Sequence, residues 1–212
     1  MLTVGVNQLI NLASEGKIQW ATFFPLPIPR LSAKNLAVKG PDHSVGQQMS
    51  LLETEEPIWC SYQGVTCSIE EGTPCLHRVI DLSFPSSSLS GYLTDLMSAF
   101  ACLKRLDISD NQIGSTIPST FSSLASLQHF DIRRNIFSGT IPLPIGAYTS
   151  LKYLAAGENI FESIPGSFGP YLSLEHLSLN MNLFIGTIPR SIGELTSLTL
   201  LDLSDNRLRG RV

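Results

Sequence analysis

The chain has 212 residues, 43% of them hydrophobic, and 14 Lys and Arg against 18 Asp and Glu give a net charge of −4. That is enough apolar material for a substantial core, while the scattered basic residues form no stripe for nucleic acid and no run reaches the 18 apolar residues of a membrane span. Asn-x-Ser/Thr does not occur, so no N-glycan is expected.

Residues 1–56 do not share the pattern that governs the rest and form a separate N-terminal segment. Met1 to Gly16 mixes apolar residues with Asn7 and Asn11 and has no basic residue ahead of them, which makes a poor secretory leader. Phe24-Pro25-Leu26-Pro27-Ile28-Pro29 reads as an extended, polyproline-like linker, with docking to a proline-binding domain as the alternative. Residues 57–78 carry Cys60 and Cys67, in Trp59-Cys60-Ser61-Tyr62-Gln63-Gly64-Val65-Thr66-Cys67, and Cys75; the fourth cysteine is Cys102. Four cysteines allow three pairings. Their spacings match no zinc pattern and His77 is the only imidazole nearby, so no metal and no cofactor is expected.

From residue 79 to 212 one line returns about six times: Leu-x-x-Leu-x-Leu-x-x-Asn-x-Leu-x-Gly-x-Ile-Pro. Its first copy is degenerate, with Ile80 and Leu82 in the strand places and Ser87 where an asparagine is due. The later copies are marked by Asn111, Asn135, Asn159, Asn182 and Asn206, at intervals of 24, 24, 23 and 24 residues. A fixed period in this range is the signature of a solenoid. In Leu106-Asp107-Ile108 alternate residues point to one face of a short strand, and inner strands are expected at 80–82, 106–108, 130–132, 154–156, 177–179 and 201–203. The asparagine sits where the strand turns away, and its amide can serve backbone groups left free there; Asn111, Asn135, Asn159 and Asn182 are therefore expected to be buried. Pro118 and its equivalents suit a turn and not a central strand. Slice four has one residue fewer between Asn159 and Ile164, which predicts a tightened turn. The line breaks off within slice six with no closing cap, as in a fragment truncated at its C-terminus, a truncated gene product or a protein that takes a partner at its end, and Leu201, Leu203 and Leu208 are expected to be partly exposed.

The glycine place is filled by Gly139, Gly186 and Gly210, with Ser115 and Ser163 as replacements, and Ile-Pro follows at 117–118, 141–142, 164–165 and 188–189. This line resembles the plant-type leucine-rich repeat of receptor-like kinases, receptor-like proteins and polygalacturonase-inhibiting proteins. The resemblance implies an α/β solenoid: a right-handed superhelix with a parallel sheet on its concave face, a second short strand at Gly-x-Ile-Pro, and turns or 3₁₀ helices outside. The cysteine stretch in 57–78 looks like the N-terminal cap of such proteins, with tyrosine in place of the usual inner aromatic. That likeness favours a Cys60–Cys67 bridge, and leaves Cys75 and Cys102 either bridged or free.

No catalytic set emerges. The pairs Asp107/Asp110 and Asp202/Asp205 are the ordinary spelling of the repeat, and His43, His77, His129 and His176 are dispersed. Binding is the better class. Slices two and six keep the stock residues on their outward strand places, whereas slices three to five break it. They offer His129, Asp131, Arg133 and Arg134, then Tyr153, Gly157 and Glu158, then His176, Ser178, Asn180 and Met181. Exposed aromatic, arginine and methionine residues anchor interfaces, and Arg133 with Arg134 could grip a carboxylate. His129 and His176 occupy the same strand place two slices apart, either as solvent-facing residues or as a pair that titrates together. The resemblance implies a non-catalytic recognition module at the cell surface for a peptide or protein ligand, with a co-receptor of the same repeat type. The alternatives are an inhibitor of a wall-degrading enzyme and a truncated product without a ligand.

Overall fold

The computed structural model describes residue 60 and residues 63–210, apart from 77, 94, 143–149, 167, 169, 170 and 172. The 1–56 segment, Trp59, Tyr62, His43 and His77 lie outside the described residues.

Two sheets run the length of the solenoid. The inner one begins with β1 (Val65–Cys67) of the cap, antiparallel to β2 (Val79–Ser83). It continues in parallel through β4 (Arg105–Asp107), β6 (His129–Asp131), β8 (Tyr153–Ala155), β10 (His176–Ser178) and β12 (Leu200–Asp202). A second parallel sheet joins β3 (Ser90–Tyr92), β5 (Gln112–Ser115), β7 (Ile136–Thr140), β9 (Ile160–Ser163), β11 (Ile185–Gly186) and β13 (Arg207–Leu208). The return path holds 3₁₀ helices at Asp95–Ala99, Ser119–Ser123 and Arg190–Glu194, the last two entered through Pro118 and Pro189 in extended conformation.

Between the sheets lies one continuous core. Leu106, Phe130, Leu154 and Leu177 fill it from the inner strands, Phe121, Leu124, Ile192 and Leu195 from the return side. Phe137, Phe161 and Phe184, each two residues past its asparagine, stack almost parallel at 6.3 and 6.2 Å. No slice could bury these rings alone; each is covered by its neighbours.

The asparagines tie the slices together. In Asn135 the amide nitrogen donates to the carbonyls of Ile132 and Arg133 in its own slice and of Ile108 in the slice before, at 3.2, 3.1 and 2.9 Å. Its amide oxygen accepts the N–H of Ile113 at 2.9 Å. Asn159 and Asn182 repeat this set and all three are buried. Asn111 is only half-buried, because the slice before it offers the longer Ser83–Ser88 turn in place of a matching rung; its oxygen takes the N–H groups of Ser87 and Leu89 there.

The ladder also explains where the strands stop. In slices two to six they lie one residue earlier than the repeat line predicts. Ile108 still donates its N–H to Asp131 at 3.0 Å, but its carbonyl is taken by the amides of Asn111 and Asn135. The second strands likewise come just after the asparagine and stop short of Ile-Pro. Ser115, Gly139 and Gly186 stand there in the left-handed region, at φ +71°, +76° and +90°, and turn the chain outward. Slice four has no such residue. It absorbs its missing position as a register shift, with Gly139 opposite Phe161 and Thr140 opposite Ser163.

The cap is held by two disulfides, Cys60–Cys67 and Cys75–Cys102. The second ties the cap to the residue just before Leu103, across the first slice. Gly64 is required beside them: at φ +83° a Cβ would run into the Ser83 carbonyl and the Phe84 ring. At the other end Leu201 is exposed and Leu203 and Leu208 are half-buried against the core.

Replacing Asn135 by Ala removes one rung and unpairs buried backbone groups on two slices, and should cost about 1–3 kcal/mol. A lower urea midpoint with an unchanged m-value is the expected result; an unmoved midpoint would show the ladder to be energetically idle. The double change Cys75→Ser and Cys102→Ser opens a closed loop of 27-residue separation and should lower stability by about 2–4 kcal/mol, read from thermal melts against the wild-type chain.

Candidate functional site

On the concave face the parallel register sets residues in rows. One row runs Asp81, Arg105, His129, Tyr153, His176, Leu200. The next runs Ser83, Asp107, Asp131, Ala155, Ser178, Asp202. Parallel strands stand about 4.8 Å apart, so flat side chains in one row meet face to face. His129 stacks on Tyr153 at 4.1 Å with the planes 5° apart, and Tyr153 on His176 at 4.3 Å and 20°. The two histidines are half-buried and are not direct neighbours; a phenol ring is clamped between them.

The carboxylates of the second row are held by groups of this chain, arginine in slices two and three and serine in slice six. Asp131 is 2% exposed and receives the Arg133 guanidinium through Nε and Nη2, at 3.0 and 2.8 Å. Asp107 accepts Arg105 Nη2 at 3.2 Å and the hydroxyl and N–H of Ser109. Asp202 and Ser204 repeat the serine arrangement in slice six. Arg133 stands where slices two and six have that serine, so its guanidinium takes over the serine's task. Slice four has no carboxylate in this row. Instead Asn180 leans over Gly157, where any Cβ would collide with its amide, and Ser178 donates to the Asn180 oxygen at 2.8 Å.

Arg134, Glu158 and Met181 do not share the strand rows. They stand with Asp110 and Asp205 in the left-handed turn residue just before each asparagine, at φ between +52° and +56°. There Arg134 binds Glu158 at 2.9 Å across the two slices. The expected two-arginine clamp is therefore not assembled: Arg133 and Arg134 lie on different rows and each already pairs with a carboxylate of its own chain. Arg105 and Asp81 were not among the expected concave-face residues, yet they continue the row of the stack. Their signal was present in two successive 24-residue steps, from His129 back to Arg105 and from Arg105 back to Asp81, legible once the register is known.

Burial sets the titration of this patch. It holds His129 below the usual imidazole value, with Arg105 and Arg133 adding to the effect and Asp131 and Asp107 opposing it. His176 is lowered for the same first reason, then by Arg133. Burial raises the Tyr153 phenol, helped by Asp131, and raises Asp81 against the pull of Arg105.

A cysteine-capped stack of leucine-rich slices with two parallel sheets and an asparagine ladder defines a repeat scaffold, with varied side chains on its concave rows. The family model for the Leucine Rich Repeat matches residues 102–124 and 173–195. Among solved structures, the ectodomain of the receptor kinase SOBIR1 from Arabidopsis thaliana is 32% identical with a TM-score of 0.60, over 72% of this chain and 87% of that one. The Arabidopsis BIR3–SERK2 complex matches at 29% identity and a TM-score of 0.62, over 74% and 81%. The Arabidopsis receptor kinase HAESA ectodomain, solved with a peptide hormone ligand, matches at 30% and 0.63, over 71% of this chain and 25% of that one. The leucine-rich repeat receptor-like protein kinase PXC1 of Arabidopsis thaliana is 49% identical over 53 residues. Those residues are 25% of this chain and 7% of that protein, so the chain spans a small part of that relative. The chain belongs to the plant-type leucine-rich-repeat proteins, and its fold is that of their receptor ectodomains. Among the described residues no helix is long and apolar enough to cross a membrane.

A histidine held below its unfolded value of 6.5 leaves the unfolded chain binding more protons in the acid range. Stability contributed this way is complete above that value and declines as the pH falls through it. The melting temperature should therefore drop as the pH is lowered through and below 6.5, and the drop should be smaller in His129→Gln. An identical drop in that variant would place the effect on other groups.

Proposed function

We propose that this chain is the ligand-recognition part of a leucine-rich-repeat receptor-like kinase or receptor-like protein. In this proposal it acts at the cell surface without catalysis, with the cap at 57–78 and the solenoid at 79–212 as one unit. It binds a peptide or protein across slices three to five of the concave face, with another leucine-rich-repeat ectodomain as co-receptor. The observation that carries this is the His129–Tyr153–His176 stack flanked by Arg133, in the slices where the stock spelling is lost. Three rings stacked on a rigid sheet offer preorganised aromatic area with little ordering cost. HAESA was solved with a peptide hormone, and BIR3 with SERK2, which supports both partners. Two disulfides suit an oxidising compartment. Because Arg133 and Arg134 already pair within the chain, the weight of recognition falls on the stack, with Arg133, Asn180 and the Arg134–Glu158 and Met181 row as its border.

The test is a screen of short linear synthetic peptides against the immobilised chain. For any peptide that binds saturably, Tyr153→Ala and His176→Ala should each weaken binding by more than about 1 kcal/mol, the threshold for a residue that matters at an interface. Asp202→Ala, in the same sheet but in slice six, should leave binding unchanged. Equal effects from all three would place the ligand off this patch.

A further inference from the structure

We propose that Asp107, His129 and Asp131 form a binding site for a divalent transition-metal ion of the zinc class, on the concave face of slices two and three. One imidazole nitrogen and one oxygen of each carboxylate lie within 4.8 Å of one another. Asp107 and Asp131 are direct register partners on adjacent strands, a placement in which like charges repel. Both are buried, and His129 reaches them from the neighbouring row. Its Nε2 is closed off from solvent and has no hydrogen-bond partner, which is costly for a buried polar atom.

The donor set fits this class of ion. One imidazole nitrogen with two carboxylate oxygens suits zinc, at bonds of about 2.0–2.2 Å, with water completing the tetrahedron. An imidazole donor disfavours calcium and magnesium, which take oxygen ligands. Tetrahedral donors at those bond lengths stand roughly 3.4 Å apart, a contraction that side-chain rotation can supply. The charges now facing the carboxylates are Arg105 and Arg133, whose side chains are 42% and 46% exposed and can swing outward. A divalent ion would replace both.

Slice five supplies an internal comparison. His176 occupies the same strand place as His129, but Ser178 and Ala155 stand where His129 has Asp131 and Asp107. It has the imidazole without the carboxylates.

The experiment is calorimetric titration of the full chain with zinc chloride near neutral pH in a non-coordinating buffer, with cobalt(II) absorption as a second readout. One saturable zinc equivalent is expected. His129→Ala and Asp131→Asn should each weaken it at least about tenfold, while His176→Ala binds like the wild type. Far-UV circular dichroism checks the fold of each variant, and His129→Gln stands in if His129→Ala does not fold. No saturable binding by the wild-type chain overturns the proposal. So does undiminished binding by the His129 variants, which places the ion on other histidines, or an equal loss in His176→Ala, which marks adventitious binding by surface imidazoles.

Discussion

Where an inner strand turns away from the concave face, the carbonyl just past its end and an N–H beyond the turn need partners, and one asparagine amide per slice from the second onward binds groups of both kinds. Each amide reaches its own slice and the one before, so the rungs couple neighbours through backbone and not through side-chain packing alone. Buried polar groups of this kind are tolerated only when fully paired. The strands stop where they do because the amides take the carbonyls that a longer ladder would have used.

With the backbone held in this way, the concave face becomes a rail with a fixed step. Side chains in one row have no choice of neighbour. Rings in slices three, four and five must stack, and carboxylates in slices two and three must be neutralised by something close by. Arg105 and Arg133 do that within the chain. The same constraint keeps Arg134 and Glu158 apart from the rows, since a left-handed residue before each asparagine carries its side chain beyond the strand.

The irregular slices show how much variation the rail allows. A missing residue in slice four is taken up in the second sheet as a register shift, and the inner sheet keeps its pairing. The degenerate first slice replaces its rung by a serine turn, and two disulfides together with the antiparallel β1 close the end that this leaves.

The sequence by itself determined the period, the inward leucines, the asparagine rungs at 135, 159 and 182, and the existence of a cap. The cap was legible by the likeness of its cysteine stretch, and the first three depend on residue type at a fixed spacing, which is a local property of the chain. The departures from stock spelling at His129, Arg133, Tyr153 and His176 were legible for the same reason. Only the tertiary structure decided that Tyr153 lies between the two histidines, that Arg133 belongs to Asp131, and that Arg134 and Met181 leave the strand rows. It alone also paired Cys75 with Cys102 and brought Asp107 to His129. Those outcomes depend on which residues of different slices face one another, and register across a sheet is fixed by backbone hydrogen bonds between segments about 24 residues apart, which no single slice contains.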